Sequence, residues 1–141
     1  MKEKKKETRR EFIKKSAGAA ALLSMPTIIP ASVFGANGKV SVAVIGVNGR
    51  GGSHIQGFMN LPNAEVTCLC DCDLNVLGPK AKAFETRYSK KVKQEQDLRN
   101  VFADKSIDAV SIATPNHWHA LATIWACQAG KDVYVEKPGA H

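Results

Sequence analysis

Three short segments of the 141-residue chain carry residue types whose spacing could do chemistry. The first is Gly46-Val47-Asn48-Gly49-Arg50-Gly51-Gly52, which interrupts a β-branched run. The second is Thr114-Pro115-Asn116-His117-Trp118-His119, and the third is Glu136-Lys137-Pro138. A glycine turn that opens a helix gathers main-chain N–H groups and the positive end of the helix dipole at one spot, which suits a pyrophosphate. His117 and His119 form a His-x-His pair of the kind that can ligate a metal. No further ligand cluster supports zinc, so no metal is expected, and capping by Asn116 or packing of the rings are the alternatives.

The elements that must position these segments follow from periodicity. Val40, Val42, Val44 and Ile45 read as a buried parallel strand. Ile55, Phe58 and Met59 then fall at i, i+3 and i+4, one face of a helix that Leu61-Pro62-Asn63 ends. Glu65 to Asp71 reads as the second strand. Leu77, Ala81, Phe84 and Tyr88 keep helical spacing, with Gly78-Pro79 near the helix start. Lys90 to Lys93 is a polar stretch suited to a short solvated edge strand. Leu98, Val101 and Phe102 mark a third helix, and Ile107 to Ala113 the next strand. Leu121, Ile124 and Trp125 define the apolar face of a helix closed by Gly130, before a last strand over Asp132 to Val135. This alternation predicts an α/β fold with a doubly wound parallel sheet. All three chemical segments then lie at strand carboxyl ends, where such sheets bind ligands.

Against G-x-G-x-x-G, Gly46 and Gly51 match but Asn48 replaces the middle glycine, whose absence of a side chain lets backbone approach a pyrophosphate. Asn tolerates φ > 0, so the turn can survive. The run also approaches a P-loop, but Gly52 stands where that motif needs lysine, which argues against triphosphate hydrolysis. Asp71, 25 residues past Gly46, ends the second strand. An acid there accepts hydrogen bonds from the adenosine ribose and repels a 2′-phosphate. No arginine follows immediately, so NAD is favoured over NADP. A helix cap is the other reading of Asp71, and a glycine turn without a ligand is the other reading of the loop. Cys68, Cys70 and Cys72 alternate and should share one strand face as small apolar residues, reduced and without C-x-x-C spacing.

The formal charge of +7 sits mostly at the amino terminus, where eight basic residues between Lys2 and Lys15 face three glutamates. A basic tail is not a basic face, so a nucleic-acid partner is not expected. Thr8-Arg9-Arg10-Glu11-Phe12-Ile13-Lys14 resembles a twin-arginine (Tat) export signal, [ST]-R-R-x-F-[LI]-K. The apolar region Ala17 to Ile29 has the length of a signal-peptide core and is short for a membrane span. Residues 1–35 are therefore read as a Tat-type signal handled by the Tat machinery. They imply a periplasmic protein, or a membrane-anchored one if the segment is uncleaved. Residues 36–141 are one domain's worth of chain.

Together the three segments resemble the Gfo/Idh/MocA family of NAD(P)-dependent sugar and cyclitol oxidoreductases, over all of the chain after the signal. The most specific parts are Ala-Thr-Pro-Asn-His-Trp-His and Glu-Lys-Pro. The resemblance implies a Rossmann domain with NAD held by Gly46, Asn48, Gly49, Arg50, Gly51 and Asp71. Thr114, Pro115, Asn116 and His117 would line the nicotinamide side, and Glu136 and Lys137 would complete the site. Lys137 would be catalytic: beside the reacting carbinol, a partly desolvated lysine has a lowered pKa and can polarise or take the hydroxyl proton. The bond before Pro138 is expected to be cis. In the family a second α/β domain, carrying the substrate pocket and the oligomerisation sheet, follows this point. The chain is thus expected to be the cofactor-binding half, incomplete at its end and inactive alone, of an oligomeric enzyme.

Three functions compete. The leading one is hydride transfer to or from a sugar, a cyclitol or a derivative. The second is an exported glycosidase of the same family, in which transient oxidation at one carbinol acidifies a neighbouring C–H and elimination breaks the glycosidic bond. The third is an inactive, truncated dinucleotide-binding module.

Overall fold

The computed structural model describes residues 38–139, so the signal read in residues 1–35 lies outside the described residues. The described chain runs β1 (Val40–Ile45), α1 (Gly51–Met59), β2 (Ala64–Cys70), α2 (Leu74–Tyr88) and β3 (Lys93–Glu95). It continues through α3 (Leu98–Ala103), β4 (Ala109–Ile112), a 3₁₀ turn (Asn116–Trp118), α4 (His119–Gln128) and β5 (Asp132–Val135). The five strands form one parallel sheet in the order β3-β2-β1-β4-β5. The order reverses at β1, which places the crevice between the loops after β1 and β4, where open parallel sheets take their ligands.

The β-branched run makes β1 the central strand because it can be buried on both faces. Val42, Ala43, Val44 and Ile45 are all buried. Ala43 and Ile45 join Cys68, Cys70, Val110 and Ile112 under Val101 and Phe102 of α3 and Ala122 and Ala126 of α4. Val44 faces the other way, with Val66 and Leu69, against Ile55 of α1 and Leu77, Ala81 and Phe84 of α2. Each buried Val, Leu or Ile contributes about 1.5–3 kcal/mol, so both layers are held by apolar burial. Lys131, buried just after α4, donates to the carbonyls of Asp104 and Ile107 and fastens the turn before β4. Burial pushes its pKa down.

Several expectations need correction. The buried face of α4 is His119, Ala122 and Ala126, with Trp125 packed partly buried against the same cluster, while Leu121 and Ile124 are exposed. Two alanines let the helix lie close on the sheet, which turns Leu121 and Ile124 outward. The edge strand begins at Lys93, where the Lys90–Lys93 stretch ends. Pro79 lies inside α2 because that helix begins earlier, at Leu74, capped by Asp73 whose carboxylate accepts from the Asn75 amide at 2.9 Å. β4 is shorter than expected, Ala109–Ile112. Cys68 and Cys70 share the buried face, but Cys72 lies past the end of β2 and is exposed.

Candidate functional site

The chain reverses sharply after Ile45, and two glycines make that possible. Gly46 sits at φ +84°, and a Cβ there would come within 2.7 Å of the Ala113 carbonyl and 2.8 Å of the Thr114 nitrogen. At Gly51 a Cβ would lie 2.0 Å from the Gly46 carbonyl oxygen. These two matched positions of the glycine motif are thus fixed by close approach of backbone to backbone. Asn48 has no positive φ, so the tolerance invoked for it is not needed. Gly49 has open space around it.

The amides of this turn divide into two groups. Gly46 donates to the Cys70 carbonyl at 2.8 Å, and Val47 to Asp71 Oδ2 at 2.9 Å. Among the described residues, the amides of Asn48, Gly49, Arg50 and Gly51 have no hydrogen-bond partner. They lie at the N-terminus of α1, whose dipole favours an anion. Asp71 does not cap α2, since Asp73 does. Its carboxylate accepts instead from Val47 and, through Oδ1, from the Asp73 amide at 3.1 Å.

A cleft of about 1030 Å³ opens over the ends of β1, β2 and β4. It brings together Gly46, Asn48, Gly49, Arg50, Asp71, Thr114, Pro115 and His117 of the expected set. Gly51 stands behind the turn, while Asn116, Glu136 and Lys137 are outside the cleft wall. The wall also includes Gln96, Asp97, Arg99 and Trp125, which the sequence reading did not select. Arg99 is held on Asp97, Nε to Oδ1 at 3.0 Å and Nη2 to Oδ2 at 2.5 Å. Thr114 Oγ1 is buried without a partner. Free amides, an acid at the end of β2 and an orphaned hydroxyl at the end of β4 are the donor and acceptor set a dinucleotide needs, so the residues fit that group.

The strand end after β5 is built differently from expectation. Glu136 does not face the cleft. Its Oε1 accepts from Arg50 Nε at 2.8 Å and lies 2.8 Å from His54 Nε2. The Arg50 guanidinium and then the His54 imidazole hold its carboxyl down at about 2. His54, on the buried side of α1, also bonds Ser111 Oγ through Nδ1 at 2.8 Å and meets the Tyr134 ring edge-on. On the other side of Lys137, His119 Nδ1 lies 2.7 Å from the Pro138 carbonyl oxygen and Nε2 lies 2.8 Å from that of Thr114. With its two ring nitrogens against these two carbonyls, His119 sits between the loops that carry Thr114 and Pro138. The Lys137–Pro138 bond is cis. Lys137 itself is exposed and bonds nothing among the described residues, so the partial desolvation expected of it is not supplied by them.

His54 and Ser111 are the residues that sequence reasoning missed. One signal was present: Arg50 and His54 are four apart, so both side chains lie on one side of the helix start.

The family model described as oxidoreductase family, NAD-binding Rossmann fold (GFO_IDH_MocA) matches residues 40–141. A glycosyl hydrolase family 109 protein from Shewanella pealeana is 35% identical over 103 residues, covering 70% of this chain and 23% of the relative. A second such protein, from Solibacter usitatus, is 34% identical over 76% of this chain and 26% of its own length. The myo-inositol dehydrogenase of Lactobacillus casei, solved in complex with NAD(H) and myo-inositol, superposes with a TM-score of 0.64 at 30% identity. That match covers 72% of this chain and 29% of the dehydrogenase. An NAD-binding protein from Listeria innocua gives 0.61, also at 30% identity, over 72% of this chain and 28% of its own. The chain therefore spans about a quarter of the length of these relatives.

Proposed function

Since the chain belongs to the Gfo/Idh/MocA oxidoreductase family through its NAD-binding Rossmann fold, we propose that it forms the cofactor-binding part of an enzyme that transfers hydride to or from a carbinol carbon of a sugar, a cyclitol or a derivative. The observation that carries this reading is the placement of Lys137 at the same end of the sheet as a glycine turn with free amides, two strands away across β4. NAD, when bound, supplies the hydride acceptor. The amides of Asn48 to Gly51 hold the diphosphate, and the Asp71 carboxylate takes the ribose hydroxyls while steadying the turn through Val47. Thr114, Pro115 and His117 wall the nicotinamide end. Lys137 is the catalytic residue in this reading: its amine polarises the carbinol hydroxyl and takes the proton as hydride departs.

A second reading is favoured by the relatives named as family 109 glycosyl hydrolases. In it the same residues serve a glycosidase: one carbinol is oxidised transiently, the neighbouring carbon loses a proton as the glycosidic oxygen leaves with one, water adds across the resulting double bond, and the ketone is reduced again. The Tat-like motif Thr8–Lys14 supports export to the periplasm by the Tat machinery, where a cofactor that is restored in each cycle has an advantage.

The two readings separate in one assay of the enzyme containing this domain. Incubation with inositols and free sugars, with absorbance followed for NADH, tests net oxidation. Incubation with aryl glycosides without added NAD tests cleavage. NADH formation supports the dehydrogenase, aglycone release without NADH supports the glycosidase, and neither activity from NAD-loaded protein contradicts both.

A further inference from the structure

The site contains one polar chain that the reaction as described does not use. It runs from Ser111 Oγ through the His54 ring to Glu136 and on to Arg50. Ser111 is fully buried in the middle of β4, and His54 is 8% exposed. A buried Ser and His on neighbouring layers of a domain are held there against a desolvation cost unless they bond each other and a further partner. Here the further partner is a carboxylate, and a hydrogen bond to a charged group is the stronger kind. Glu136 immediately precedes Lys137. Its amide is tied to the Ile112 carbonyl, and its side chain is tied to α1.

We propose that His54 is a positioning residue for Lys137: its imidazole, anchored on Ser111, holds the Glu136 carboxylate and so fixes the strand end that carries the lysine. Naming Lys137 as the group being positioned rests on the proposed function above. The two partners of Glu136 are not equivalent. The Arg50 side chain is 67% exposed, whereas that of His54 is 7% exposed. Exposed ion pairs contribute little and are screened, so the buried histidine carries the ordering. His119 holds the far side at the Pro138 carbonyl, leaving Lys137 between two fixed points.

The two ring nitrogens can be tested apart. Glutamine places an amide near the position of Nε2 and can keep the bond to Glu136. Asparagine places one near Nδ1 and can keep the bond to Ser111. We would measure hydrogen exchange at the amide of Glu136, which bonds the Ile112 carbonyl, in the 141-residue chain without added nucleotide, with Val42 to Ile45 as internal reference. His54→Asn should speed exchange at the Glu136 amide by about tenfold or more while the reference stays slow, and His54→Gln should keep its rate slow. Equal rates in the two variants would overturn the proposal, because a packing role treats them alike. If His54→Asn does not fold, Glu136→Ala takes its place, since it removes the carboxylate and leaves His54 on Ser111: faster exchange at the residue 136 amide against the same reference supports the proposal and an unchanged rate overturns it. Nucleotide loading of the unsubstituted chain, measured in parallel, reports on the cofactor reading separately, so either idea can fail alone.

Discussion

Arg50 Nε lies 2.8 Å from Glu136 Oε1, so the first residue before α1 is tied by charge to the first residue after β5. With the buried His54 ring on the same carboxylate oxygen, the glycine turn and the lysine-bearing strand end form one unit, although 86 residues separate Arg50 from Glu136.

This tie has a pH dependence with a defined sign. The Glu136 carboxyl is held at about 2 in the fold against an ordinary value of 4.5. Between those values the unfolded chain binds more protons, so stability rises with pH. The clasp contributes fully above about pH 4.5 and its contribution is lost as pH falls through about 2. Urea unfolding from pH 5 to pH 2 should show a shallower decline for Glu136→Gln than for the unsubstituted chain. Parallel curves would contradict the assignment.

The glycine turn makes opposite predictions for two of its glycines. Gly51→Ala drives a methyl against the Gly46 carbonyl and should cost about 1–3 kcal/mol in urea unfolding. Gly49→Ala meets open space and should change stability by less than about 0.5 kcal/mol. Because Gly49 lines the cleft, the same alanine should still weaken NAD binding in a calorimetric titration.

In the proposed function Asp71 serves the turn and the ribose at once. Asp71→Asn keeps an acceptor for the Val47 amide but loses the charge that repels a 2′-phosphate. The expected outcome is a folded protein whose preference for NAD over NADP falls by about tenfold or more, read from the two dissociation constants. Arg99, held on Asp97, is a cation on the same cleft wall.

The thiols divide by burial. Burial pushes the Cys68 thiol up to about 12 and raises that of Cys70 further. Cys72 and Cys127 are exposed. A thiol reagent such as DTNB at pH 8 should label two of the four cysteines rapidly and the other two only after denaturation. Fast labelling of all four would contradict the packing of β2.

Much of this was legible because parallel-sheet chemistry is local. The Val40–Ile45 run, the glycines after it and Asp71 each announce a strand end, and strand ends are where such folds place ligands. The face of α4 was misread because large apolar residues are the usual sign of burial. Here the alanines Ala122 and Ala126 face the sheet, since only small residues allow that close an approach. Glu136 was assigned to the cofactor because its neighbour Lys137 was. No local pattern could show that its partners, Arg50 and His54, come from the other end of the sheet's order in sequence. His54 is one polar residue beside Ile55, and its role exists only once β4 and β5 are in place.

The central claim is that the turn at Gly46–Gly51 binds NAD. The most direct test is to express the chain in the cytoplasm, purify it gently, denature it, and identify and count the released nucleotide by mass spectrometry, with NAD titration of any nucleotide-free fraction. The account predicts NAD at close to one per folded chain, or its uptake on titration, and loss of both in Gly51→Ala. A chain that shows cooperative unfolding yet neither carries nor takes up NAD would contradict it.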